Sequence, residues 1–130
     1  MFKSVMLRKL ALVALATAAT SASLAGSSNA AVIRADASAS PPFHNGACPF
    51  TFRFTANIES DQGGVVRYRW IRSDGATAPI QMLQFRGPGT RTVDDTWQLS
   101  GDHFKGWEAV RIIGPNGRVS NCAKIELTCR

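Results

Sequence analysis

The sequence predicts an all-β domain, an antiparallel β-sandwich of about six to seven strands that follows a cleaved leader. Three observations predict it. Over residues 50–59, Phe50, Phe52, Phe54, Ala56 and Ile58 alternate with Thr51, Arg53, Thr55, Asn57 and Glu59, the period of a strand with one buried face. In VVRYRWIRSDG (residues 65–75), Val66, Tyr68 and Trp70 share one side and Arg67 and Arg69 the other, and Ser73, Asp74 and Gly75 then turn the chain. Finally, nothing after residue 30 has a helical period; short apolar strands and glycine-rich turns alternate instead.

Residues 1–30 are expected to be a secretory signal. Lys3, Arg8 and Lys9 form a basic start, and residues 10–19 an apolar run well short of the roughly 20 residues that a membrane-spanning helix needs. Ser28 and Ala30 occupy positions −3 and −1 of a cut after Ala30, with a cut after Ala25 as the alternative. No cysteine follows either cut directly, so no lipid or other membrane anchor is expected and the protein reads as secreted into the extracellular space. About 100 residues remain, enough for one domain and too few for two. The leader takes three of the fifteen bases and none of the nine acids, so the net charge falls from +6 to about +3. The remaining bases are scattered, which argues against nucleic acid as a partner.

Residues 31–47 are poor in large apolar side chains and carry Ser38, Ser40, Pro41, Pro42 and Gly46. They read as a flexible N-terminal segment, with Val32 and Ile33 as a short edge strand and His44 solvated in a loop. The domain proper spans residues 48–130. After the Phe-rich strand, residues 61–64 turn the chain into the Trp70 strand. Residues 80–85 form a third strand closed by Gly87, Pro88 and Gly89. Residues 91–99 form a fourth, with Val93, Trp97 and Leu99 on one face. Asp95 falls on that same face, which requires a bulge or a different phase. A loop at 102–106 leads into a fifth strand over 107–113, with Val110 and Ile112 inward. Gly114, Pro115, Asn116 and Gly117 turn it. The last strand runs over 119–129 with Ala123, Ile125 and Leu127 inward.

Export makes a disulfide the expected state of two of the three cysteines. Six strands of alternating direction place the start of the first and the end of the last at the same end of the sandwich. Cys48 and Cys129 hold those places, whereas Cys122 opens the last strand at the other end. The expected bridge is therefore Cys48–Cys129, leaving Cys122 as a free thiol that is either buried and inert or bridged to a second molecule. The spacing of Cys122 and Cys129 fits no common zinc knuckle; no metal and no cofactor is expected.

The segments CPFTFRFTANI, VVRYRWIRSDGA, TRTVDDTWQL, GWEAVRIIGPN and SNCAKIELTC resemble immunoglobulin-like or fibronectin type III-like sandwiches. More narrowly, they resemble small exported bacterial proteins with an immunoglobulin-like domain. The resemblance covers residues 48–129. In that pattern the opening and closing cysteines recur and the position of Cys122 is usually another residue. The pattern implies a fold and no activity, and the cysteine pair that joins the two sheets of antibody domains is missing.

The resemblance also implies that the Trp70 strand, the Trp107 strand and the last strand share a sheet. Their outward residues would be Arg67, Arg69, Trp107, Arg111, Lys124 and Glu126, a face able to engage acidic groups, sugars or an aromatic partner. The plainer use of the same residues is arginine stems laid over Trp107. The end loops at 61–64, 87–90 and 101–106 are a second place for a protein partner.

Little in the chain suits catalysis. No serine sits in a G-x-S-x-G elbow, and Asp94 and Asp95, adjacent on a strand, point to opposite faces. The expected function is a secreted, non-enzymatic binding module for a protein or glycan partner, as a monomer or a Cys122-linked dimer. The alternative is a structural cell-envelope or extracellular protein cross-linked through Cys122.

Overall fold

The alternation that starts at Phe50 dictates a strand with one apolar face, and the molecule is built as two sheets that close over that face. The computed structural model describes residues 30–130; apart from Ala30, the expected leader lies outside the described residues. The chain forms β1 (Val32–Ser40), β2 (Phe43–Gly46), β3 (Phe50–Ser60), β4 (Gly64–Arg72), β5 (Gln81–Phe85), β6 (Gly89–Leu99), β7 (His103–Gly114), β8 (Arg118–Val119) and β9 (Ala123–Cys129). The smaller sheet has the order β1-β3-β6. The larger has the order β2-β9-β7-β4-β5, with β8 paired to β7. Among the described residues no helix is long and apolar enough to cross a membrane.

The buried faces are those that the period-two pattern predicts. Phe52, Phe54, Ala56 and Ile58 from β3 meet Val66, Tyr68 and Trp70 from β4, Val110 and Ile112 from β7, and Ala123, Ile125 and Leu127 from β9. The Phe54 and Trp70 rings lie 6.4 Å apart between the sheets. β3 and β6 pair without interruption from Phe50↔Leu99 to Ser60↔Gly89. Asp95 therefore reaches the inner face in regular register, and no bulge intervenes.

Residues 31–47 correct the expectation of a flexible segment. β1 pairs antiparallel with β3 along its whole length, with one irregularity between Val32 and Arg34. Pro41 and Pro42 then offer no backbone N–H, so pairing with β3 cannot continue. The chain crosses to the larger sheet, where β2 runs parallel to β9 from Phe43↔Glu126 to Gly46↔Cys129.

The outer edge of β1 is satisfied by side chains from far along the sequence. Asn116 accepts from Val32 N (3.0 Å) and donates to Val32 O (2.9 Å). Asn121 does the same for Ala37 at 2.7 and 2.8 Å. Each carboxamide imitates a peptide of a neighbouring strand, and together they tie the smaller sheet to the connection between β7 and β9. His44 is likewise no solvated loop residue: its ring stacks on Phe50 with 3.7 Å between centroids.

The disulfide joins Cys48 to Cys129, with a Cα–Cα distance of 5.6 Å. Cys122 is unpaired and exposed. The three end loops divide between the two ends of the sandwich. A Cβ on Gly63 would stand 3.0 Å from Arg86 O, so the turns after β3 and β5 adjoin. The turn before β7 lies instead at the disulfide end, where Cys129 N donates to Asp102 O. Residues 103–106 belong to β7 rather than to a loop.

Asn121→Ala leaves the N–H and C=O of Ala37 without partners, at a cost of about 1–3 kcal/mol. Urea denaturation should show that loss, and amide exchange should accelerate along β1 while β3 and β7 stay protected. Unchanged exchange in β1 would contradict the clamp.

Candidate functional site

Strand geometry assigns alternate residues of β4, β7 and β9 to the outside of the larger sheet, and all five basic or aromatic candidates lie there. Arg69 pairs directly with Arg111 across β4 and β7, and Trp107 pairs with Lys124 across β7 and β9. Arg67 faces Gly114 on one side and Met82 on the other. Arg67, Arg111 and Lys124 are exposed, and Arg69 and Trp107 are partly covered. Ile71 and Ala109 pair in the row between Trp107 and the two paired arginines.

Trp107 is held by its backbone. Ser73 N donates to Trp107 O (3.0 Å), and Trp107 N donates to Ser73 Oγ (3.1 Å). Gly106 makes room for this clamp, since a Cβ there would run into the Phe104 ring and stand 2.8 Å from Ser73 Oγ.

A groove of about 450 Å³ follows, lined by Phe43, Ser73, Lys105, Gly106, Trp107, Lys124, Ile125 and Glu126. Phe43 is 68% exposed on its rim. Glu126 lies 3.6 Å from His103 Nε2 and 3.9 Å from Lys105 Nζ. Arg67, Arg69, Arg111 and Lys124 have no carboxylate within 4.0 Å, the described ion pairs lying elsewhere. The described cation–π stack places Arg72 over Trp97, 4.7 Å from its centroid. No described guanidinium covers the Trp107 ring.

Phe43 and Lys105 escaped sequence reasoning. Phe43 reaches the groove only because β2 joins the far edge of the larger sheet, and a parallel four-residue pairing leaves no local signature. Lys105 lies two residues before Trp107 and would have followed from extending that strand's phase backwards.

A second constellation lies inside the sandwich. Glu108 shares the phase of Val110 and Ile112 and has no exposed surface. With Asp95, Trp70, Arg72, Thr77, Ala78 and Thr96 it lines a cavity of about 200 Å³. Trp70 Nε1 has no hydrogen-bond partner, and the Glu108 carboxyl faces that of Asp95. Burial first, and the Asp95 carboxyl opposite second, push the Glu108 pKa up to about 9, against the opposing pull of Arg72. Glu108 is thus a neutral acid at pH 7. Its phase was readable in the sequence, because outward Trp107 and Arg111 leave residue 108 inward. No group of three His, Cys, Asp or Glu placed to hold a metal occurs among the described residues.

No family model and no curated protein matches the chain. Among solved structures it is similar to a β-glucosidase from Erythrobacter marinus, with a TM-score of 0.53 and 10% sequence identity. The match covers 78% of this chain and 16% of that one. At that identity the likeness concerns the fold alone.

Because the folded pKa of Glu108 lies above the unfolded value near 4.5, its linkage to stability has a definite sign. Below pH 4.5 both states hold the proton and nothing is lost. As pH rises towards 9 the unfolded state releases it first, and stability falls. Glu108→Gln should remove that slope and leave the variant about 2–3 kcal/mol less sensitive to a shift from pH 4 to pH 7, as read by denaturant midpoints across the range. Parallel pH profiles for the two proteins would contradict a neutral Glu108.

Proposed function

We propose that this protein is a secreted, non-enzymatic binding module of immunoglobulin-like fold. Its ligand face would be the outer surface of the larger sheet around Trp107. The single observation that carries this reading is the row of cations without acid partners, Arg67, Arg69, Arg111 and Lys124, beside a groove with an uncovered indole. Cations without acid partners beside an uncovered indole make a face able to meet an anionic or aromatic partner. The immunoglobulin-like assignment is supported by the strand order and by the crossing of the N-terminal strand from one sheet to the other, where it lies parallel to the last strand. Secretion is supported by the leader pattern of residues 1–30 and by the long-range disulfide. Binding rather than turnover is favoured because the one strongly perturbed carboxyl among the described residues, Glu108, has no surface from which to touch a substrate.

A second reading has its own observation. Cys122 is exposed as well as unpaired, which removes the inert, buried alternative and leaves a thiol able to join two copies in a structural assembly.

Residues 31–130, oxidised and displayed on glycan and protein arrays, should capture a ligand that is lost when Trp107→Ala and Arg111→Ala are introduced together, with the circular dichroism spectrum unchanged. Ligands retained by that variant would move the site to the end loops. Dimers on non-reducing gels that vanish with Cys122→Ser would instead put the structural reading first.

A further inference from the structure

The ligand class can be argued from the arrangement of that face, and the argument rests on the binding reading above. Along β7, Lys105, Trp107, Ala109 and Arg111 point outward in succession, about 6.8 Å apart, so Lys105 and Arg111 lie roughly 20 Å apart. Lys124 flanks the Trp107 ring on one side, and the paired Arg69 and Arg111 lie beyond the apolar row of Ile71 and Ala109. An extended ligand lying along this strip meets positive charge, then an aromatic plate and an apolar floor, then positive charge again. The opposite outer face, on β1, β3 and β6, shows no such excess: Arg34 and Arg53 are matched there by Asp36, Glu59 and Asp94.

We propose that the strip binds an anionic, carboxylate-bearing polysaccharide. A pyranose ring would stack on Trp107, and the carboxylates of neighbouring sugars would pair with Lys124 on one side and Arg111 on the other, Arg69 Nε donating instead to Ala78 O (3.0 Å). A pyranose carries an apolar C–H face that suits an indole and the half-buried Ile71 beside it. Its carboxylate matches the guanidinium fork of Arg111. Glu126 distinguishes this occupant from a nucleic acid. Between its carboxylates a polyuronate presents hydroxyls from which the Glu126 carboxylate would accept, whereas a DNA backbone presents none. Ser73, on the same wall, offers a further hydroxyl.

The test is titration of oxidised residues 31–130 with polygalacturonate, with its fully methyl-esterified form, and with single-stranded DNA of matched length. Isothermal titration calorimetry reads every variant, and fluorescence of Trp107, partly exposed where Trp70 and Trp97 are buried, reads those that retain it. Polygalacturonate should bind and the ester should not. Lys124→Gln and Arg111→Gln should each weaken binding about tenfold and reduce its salt dependence. Trp107→Ala should weaken it by about tenfold or more. Arg53→Gln, on the opposite face, should leave it unchanged. Equal binding of the ester, equal or tighter binding of DNA, no binding of polygalacturonate, or indifference to all three substitutions would overturn the proposal. In those cases, a different ligand that still depended on Trp107 and Arg111 would leave the binding face standing and reject only its ligand class. Absence of any such ligand would reject both.

Discussion

The bond between Cys48 and Cys129 is the constraint on which the rest of the molecule depends. It closes 81 residues of chain, which in a chain-entropy description is worth about 4–5 kcal/mol. Its position matters as much as its size. Cys48 leads into β3, the centre of the smaller sheet, and Cys129 ends β9 in the larger one, so the two layers are joined where their free ends would otherwise part. Gly46 pairs with Cys129 and accepts from Arg130 N, which fixes the parallel strand β2 beside the same bond. Phe43 on β2 and Trp107 on β7 stand on either side of β9 because of that junction, and the groove between them inherits its shape.

Trp107 and Glu108 show how one strand serves two environments. The alternation of β7 sends the indole outward, between cations with no acid partner, and the carboxyl inward, into a cavity where it faces the carboxyl of Asp95. The outward group is held by the Ser73 clamp on its backbone, so its ring remains available. The inward group is kept neutral by burial and by Asp95.

Much of this was legible in the sequence where the physics is local or follows from parity. Period-two alternation located the Phe-rich strand and the Trp70 strand, and alternating strand direction assigned the disulfide. The outer face followed from the same alternation once the three strands were placed in one sheet. What escaped depends on distant partners. Residues 31–47 look loose because their own side chains bury little, yet Asn116 and Asn121, 84 residues away, complete the hydrogen bonding of β1. His44 gains its place from Phe50. Asp95 looked like an error of phase and is a true inward acid, tolerated because it faces Glu108 across the cavity rather than an apolar wall. Glu108 was readable, but a charged residue among apolar ones is easily passed over when attention is on which apolar residues share a face.

The most direct test is a peptide map of the oxidised protein, digested without reduction after its thiols have been alkylated. The expected result is a fragment linking Cys48 to Cys129 and an alkylated Cys122. A fragment linking Cys122 to Cys48 or to Cys129 would contradict it, because the junction that holds β2, β3 and β9 together would then not exist.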